Sequence, residues 1–256
     1  MKDIKLVKIV SDIYNMNINE IKESNIGVEI QSFPQDILDK DYSDILNECK
    51  NKLYSLNCTI SLHGASFDLN PGSTDKKVLE LTRFRYMQCI EIAKNIGANY
   101  VIFHSQLNPL ISVPRIRKLK LDNQINFWKN LLEEINDLNI TILLENEYDD
   151  SYEELLYILK EVNSNKLKMC LDIGHVLAYS NRKLEEWVEK LKDYIKYIHL
   201  HFNDGSFDSH TEPNEEELML FKDILKKNNI KPIVSLEYTT CNIKSEVKRI
   251  RVALKN

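Results

Sequence analysis

Residues Thr59–His104 read TISLHGASFDLNPGSTDKKVLELTRFRYMQCIEIAKNIGANYVIFH. The stretch begins and ends on short apolar runs, TISLH and YVIFH, with the length and Val/Ile content of buried strands. Between them Val78, Leu81, Ile92, Ala93 and Ile96 recur at helical spacing over Asp75–Ile96, with Ser73 or Thr74 placed to cap the helix start and Gly97 to end it. A strand, a crossing helix and a second strand of the same kind make a βαβ unit, whose strands lie parallel. Both strands end on histidine.

The same alternation continues in both directions. Further strands are expected at Ile4–Ile9, Gly27–Phe33, Thr141–Glu145, Leu167–Asp172, Tyr197–His201 and Pro232–Glu237, which makes eight in all. Helical patterns follow at about 119–138, 152–162, 184–191, 215–227 and 243–254. Eight strand-helix alternations in 256 residues fit a single (β/α)8 TIM barrel, which needs about 250 residues. No low-complexity linker divides the chain, so residues 1–256 are expected to form one α/β domain. A doubly wound open sheet is the alternative, but such folds carry a glycine-rich phosphate turn after the first strand, and none of the six glycines forms one.

Composition narrows the function. Hydrophobic residues at 43% and charged residues at 29% describe a chain able to bury a full core. The net charge of −5 opposes tight nucleic-acid binding, which is driven by neutralising phosphates. Lys2, Asp3, Lys5 and Lys8 interrupt the N-terminal apolar residues, unlike a secretion signal. No run approaches the ~20 apolar residues of a membrane span. Five widely spaced cysteines suit reduced thiols, and the chain is expected in the cytoplasm.

Six strands end on a residue able to bind a metal: His63, His104, Glu145, Asp172, His201 and Glu237. Each lies about 27 to 41 residues after the one before, the length of a whole βα unit. In a barrel these ends converge on one mouth, and each ligand is expected at the same height. Any one of them alone reads more simply as a hydrogen-bonded core or loop residue. Three carboxylates and three imidazoles gathered together are costly unless cations compensate. His175, Asp208 and His210 lie just beyond these ends, either as solvated loop residues or as further ligands. Nine nitrogen and oxygen donors without a thiolate suit Zn²⁺, Mn²⁺, Co²⁺ or Fe²⁺, with zinc or manganese preferred at one to three ions per chain.

Several short segments, in order and at strand ends, carry a resemblance. They are GVEIQ (27–31), LHGASFDLNPGS (62–73), IGANYVIFHS (96–105), LLEN (143–146), LDIGH (171–175), HFND (201–204), DSH (208–210) and SLE (235–237). The chain resembles the xylose isomerase-like TIM-barrel superfamily over nearly its whole length. In its epimerase branch the resemblance implies one metal on Glu145, Asp172, His201 and Glu237, with Glu145 and Glu237 moving protons. In its endonuclease IV branch it implies a three-metal cluster that adds His63, His104, His175, Asp208 and His210. Two departures stand out. Residues 33–44 carry Asp36, Asp39, Asp41 and Asp44 against Lys40 alone, where the endonuclease grips DNA. After Asp208 and His210 the chain continues Thr211-Glu212-Pro213-Asn214 in place of a glycine-x-glycine turn, so the presenting loop is expected to differ in shape.

The reading preferred is a metal-dependent isomerase or epimerase of a small carbohydrate or sugar phosphate, with Glu145 and Glu237 catalytic. An endonuclease IV-like phosphodiester hydrolase and an inactive metal-binding barrel are the alternatives. Arg115, Arg117, Lys118 and Lys120 read as a solvated helix start more than a phosphate site. His199 reads as an interior histidine deeper than His201, Glu29 as an interior ion-pair partner, and Cys170 and Trp128 as core. Phe67 is a candidate stacking surface for a sugar.

Overall fold

Strands built from alternating inward and outward residues, each followed by a helix with one apolar face, close into a ring when every sheet edge is paired. The computed structural model describes residues 4–255, so Lys2 and Asp3 lie outside the described residues. In chain order the elements are β1 (Leu6–Val10), α1 (Ile18–Ser24), β2 (Gly27–Ile30), α2 (Gln35–Leu38), α3 (Ser43–Tyr54), β3 (Ile60–His63), α4 (Lys76–Ile96), β4 (Tyr100–His104), α5 (Pro114–Glu134), β5 (Thr141–Glu145), α6 (Glu153–Val162), β6 (Leu167–Asp172), α7 (Ile173–Tyr179), α8 (Leu184–Leu191), β7 (Ile195–Leu200), α9 (Glu215–Asn228), β8 (Ile233–Leu236) and α10 (Ile243–Lys255). Every neighbouring strand pair is parallel, and β1 pairs with β8 to close the barrel. Among the described residues no helix is long and apolar enough to cross a membrane.

The strand count holds while several boundaries move. β2 stops at Ile30, and His201 and Glu237 lie one residue beyond β7 and β8. Helix α4 is capped by the Asp75 side chain, which accepts from the Lys77 N–H at 2.7 Å, and not by Ser73 or Thr74. Gly97 ends it with φ +74. Leu81 is 47% exposed, because Thr82, Tyr86, Cys89, Ile90 and Ala93 take the buried face. Helix α5 starts at Pro114, where the missing N–H costs nothing.

The core has two parts. Between barrel and helices, Tyr86 stacks on Phe103 with ring centroids 3.9 Å apart, and Trp128 lies on Tyr86 at 5.6 Å. Inside the barrel, Val7, Ile102, Leu143, Cys170, Tyr197 and Ile233 form an apolar layer. Above it Glu29, Ser61, His199 and Ser235 are fully buried.

Register decides which residues meet. His104 pairs with Glu145, but Glu145 pairs with Cys170, and Asp172 pairs with His199. Strand tilt therefore steps the ligands along the ladder, correcting the expectation that all six stand at one height. It brings His199, two residues before His201, level with Asp172.

Candidate metal centre

The six histidines of the chain all stand at the barrel mouth, each close to a carboxylate. His63 Nε2 lies 3.2 Å and His104 Nε2 3.6 Å from Glu145 Oε2. His201 Nε2 lies 2.9 Å from Asp172 Oδ2. His175 Nε2 and His210 Nδ1 are each 3.3 Å from Asp208 Oδ2. His199 Nδ1 is 2.7 Å from Glu237 Oε2. All nine expected ligand residues are therefore brought together. Sets whose donor atoms lie mutually within 4.8 Å include His63, His104 and Glu145; Glu145, Asp172, His199 and Glu237; and His201, Asp208 and His210.

Several imidazoles have one nitrogen occupied elsewhere. His63 Nδ1 donates to Gly64 O at 3.0 Å and His175 Nδ1 to Asn146 O at 2.7 Å, while the opposite nitrogens face carboxylates. That is how metal-ligating imidazoles are oriented. Glu145 Oε2, Asp208 Oδ1, Glu237 Oε2 and His201 Nδ1 are buried without a hydrogen-bond partner. Buried polar atoms are ordinarily satisfied, and divalent cations fit this donor set.

Local sequence explains the placement. In LDIGH, the Asp172 side chain caps α7 by accepting from the His175 N–H at 2.7 Å, which turns His175 into the mouth. Asn146 exchanges two hydrogen bonds with the Asp172 backbone, at 2.9 and 3.0 Å. Asp208 and His210 reach the site because an antiparallel bridge between Phe202 and Thr211 closes their loop, with Gly205 at φ +82 inside it. His210 then stacks on His201 with centroids 4.1 Å apart and planes 3° off parallel.

A Cβ on Gly174 would lie 2.0 Å from Cε1 and 2.3 Å from Nδ1 of His201. Glycine is required here by close approach of that ring. Gly174→Ala is expected to displace His201 and to remove about one bound ion per chain at unchanged fold, read by elemental analysis beside circular dichroism.

Burial works against charge on Glu145, yet the imidazoles of His199, His104 and His63 outweigh it and hold the carboxyl well below the usual range. Burial likewise opposes charge on Asp172, and His175, His201 and His199 overcome it. On the partner side, burial lowers His63 and His175, but neighbouring carboxylates raise them to about 9 and about 11.

Asp149, buried behind the mouth, is the exception. Its Oδ2 accepts from Ser105 Oγ at 2.7 Å and the Glu147 N–H at 2.9 Å, while Oδ1 has no partner. Burial pushes this carboxyl up from 3.8 to about 7. The unfolded chain releases the proton near the lower value and the folded protein near the higher one. Its stabilising contribution is thus full below the lower value and lost as pH rises through the higher one. Wild type is expected to lose on the order of 2–3 kcal/mol more than Asp149→Asn between about pH 5 and about pH 8, measured by urea unfolding.

The mouth encloses a cavity of about 320 Å³ lined by Gln31, Phe33, Gln35, Phe67 and Tyr148 together with seven of the metal-ligand candidates, Asp172 and His201 lying beneath its surface. Phe67, 68% exposed, sits on its rim. Gln31 Nε2 donates to Glu237 Oε1 at 3.3 Å. Glu147, absent from the sequence reading, places Oε1 3.1 Å from His104 Nδ1. Trp128 and Cys170 are core, as expected. Lys118 pairs with Asp122 on the exposed face of α5, as a solvated helix start does, whereas Arg117 makes a partly buried pair with Glu154 of α6.

A family profile described as xylose isomerase-like TIM barrel matches residues 26–254. An uncharacterised protein of Methanocaldococcus jannaschii is 30% identical over 200 residues, 74% of this chain and 67% of its own length. A Metamycoplasma arthritidis protein named probable endonuclease 4 is 28% identical over 157 residues, 56% of this chain; the chain spans about half, 53%, of that relative. Among solved structures, a D-tagatose 3-epimerase-like protein superposes with a TM-score of 0.73 at 25% identity, covering 98% of this chain and 96% of its own.

Proposed function

The chain belongs to the xylose isomerase-like TIM-barrel family, and on that footing we propose that it is a divalent-metal-dependent isomerase or epimerase of a small carbohydrate or sugar phosphate. The observation that carries the reading is the pairing of Glu145 and Glu237 across the mouth. One comes from β5 and the other from the end of β8, yet oxygens of both lie within 2.9 Å of a single nitrogen, His199 Nδ1. Two carboxylates so placed can address the two faces of one substrate carbon.

Divalent ions bound by the donor sets named above would supply Lewis-acid polarisation of a substrate carbonyl oxygen. One glutamate removes the proton from the adjacent carbon, and the C–H electron pair moves into the C–C bond to give an enediolate. The other glutamate, carrying a proton, delivers it to the opposite face and restores the carbonyl. Gln31 orients Glu237, while Phe67 on the rim offers an apolar face to the sugar's C–H groups. The cavity volume suits a small molecule.

A phosphodiester hydrolase is the second reading, favoured by the several donor sets at the mouth, three of them made of nitrogen and oxygen donors alone, and by the endonuclease-named relative. Against it, the loop after β2 carries four aspartates, of which Asp36 pairs with Lys40 and Asp39 with Arg85. Among the described residues lining the cavity none is lysine or arginine. We take residues 1–256 as one catalytic unit and place it in the cytoplasm, where its five cysteines would stay free thiols.

Metal-loaded protein incubated in D₂O with a panel of ketoses, aldoses and their phosphates is expected to introduce deuterium beside the carbonyl of at least one sugar. An oligonucleotide with an abasic site should remain uncut. Cleavage of that oligonucleotide with no exchange in any sugar would reverse the order of the two readings.

A further inference from the structure

Beside the mouth, between the ends of β8 and β1, lies a second cavity of about 450 Å³. Gln31, His210 and Glu237 border both cavities and form a shared wall between them. The wall is held together at one oxygen: Gln31 Nε2 donates to Glu237 Oε1 at 3.3 Å, and His210 Nε2 lies 3.7 Å from it. Each volume is that of a site for one small molecule. A substrate whose reacting carbon meets Glu237 therefore has room on two sides of that carboxylate.

The charged groups of the second cavity are already engaged with the backbone. Lys8 of β1 donates from Nζ to Leu236 O at 3.0 Å and to Tyr238 O at 2.5 Å, the carbonyls on either side of Glu237. An ammonium has three donors, so one is left for a ligand. At the far end Glu20 Oε1 accepts from the Ile243 N–H at 3.0 Å, at the start of α10. The remaining polar edge is made of hydroxyls, Ser11 from beyond β1 and Thr239 and Thr240 from the loop after β8. Thr240 Oγ1 is buried without a hydrogen-bond partner, whereas a buried hydroxyl ordinarily has one. Such a lining suits a neutral ligand rich in hydroxyls. A phosphate would meet Glu20 and Glu237 with Lys8 alone to offset them. An apolar group would leave Thr240 unsatisfied.

We propose that this cavity binds a glycosyl group, so that the substrate is a glycosylated sugar with its reacting residue in the mouth and a second residue beyond Glu237. The assignment rests on the isomerase or epimerase reading above. Within that reading it selects a disaccharide or other glycoside over a sugar phosphate.

The test is sugar binding by the full metal-loaded chain, followed by ligand-detected NMR titration, which needs no turnover. The probes are D-fructose and D-glucose beside their glucosylated forms turanose, maltulose, isomaltulose, maltose and cellobiose. At least one disaccharide is expected to bind about tenfold or more tighter than its parent sugar. In Thr239→Trp, which fills the cavity from an exposed position, that preference should fall to about threefold or less. In Thr240→Val, which removes the buried hydroxyl, it should fall several-fold. Equal binding of disaccharide and parent by wild type, or a preference that survives in folded Thr239→Trp, overturns the assignment and leaves the proposed function standing. A preference abolished by Phe67→Ala but kept in Thr239→Trp also overturns it and puts the second residue on the rim. Should Thr239→Trp not fold, Thr240→Val decides. A preference lost in Thr239→Trp, with no deuterium exchange in any probe, supports the cavity while overturning the proton-transfer reading. Wild type that binds no sugar at all overturns both.

Discussion

Glu145→Gln is expected to leave a folded protein that has lost both its metal and its activity. Glu145 is 1% exposed and shared between donor sets. Its Oε2 serves His63 and His104, and its Oε1 lies 2.9 Å from His199 and 3.8 Å from His175. The amide keeps the side chain's shape but removes the charge that draws cations and the base that takes a proton. Loss of general-base function alone is worth about 10²–10⁴-fold in rate, and loss of ions adds to it. Turnover should drop by about 10⁴-fold or more, with at least two ions gone per chain if three were bound. Glu147→Gln, at the edge of the same site beside His104, should cost about tenfold. Equal losses in the two variants would mean that Glu145 has no special place.

The second large effect is on stability. Without cations the mouth gathers Glu145, Asp172, Asp208 and Glu237 against imidazoles that must stay protonated to balance them. Ions that bind only the folded protein stabilise it by mass action, about 2.7 kcal/mol at a free concentration one hundred times Kd. For a domain of this size each kcal/mol raises the melting temperature by about 2–4 °C. Zinc or manganese added to chelator-stripped protein should therefore raise Tm by about 5–10 °C, and should raise that of Glu145→Gln by much less. A wild-type Tm indifferent to every divalent ion tried would favour an inactive barrel.

The barrel is legible in sequence because each strand is a continuous apolar run buried on both faces, as in TISLH and YVIFH, and each is followed by a helical period. His63, His104, Glu145 and Asp172 are likewise legible as the last residues of their strands. Three features are not. The closure of the loop that presents Asp208 and His210 depends on the Phe202–Thr211 bridge, a contact between two residues with no motif of their own. Helices α1 and α2, of seven and four residues, are too short to show a helical period. Glu147 lies in a loop whose path, not whose sequence, brings it to His104.

The most direct test of the central claim, that this barrel mouth holds divalent metal ions, is metal content per chain. It should be measured by elemental analysis on protein purified without added metal or chelator, alongside His63→Ala, His175→Ala and His210→Ala. Two or three equivalents in wild type, reduced in each variant, is the predicted result. Wild-type protein that carries no ion, and takes up none when zinc and manganese are offered, would contradict it.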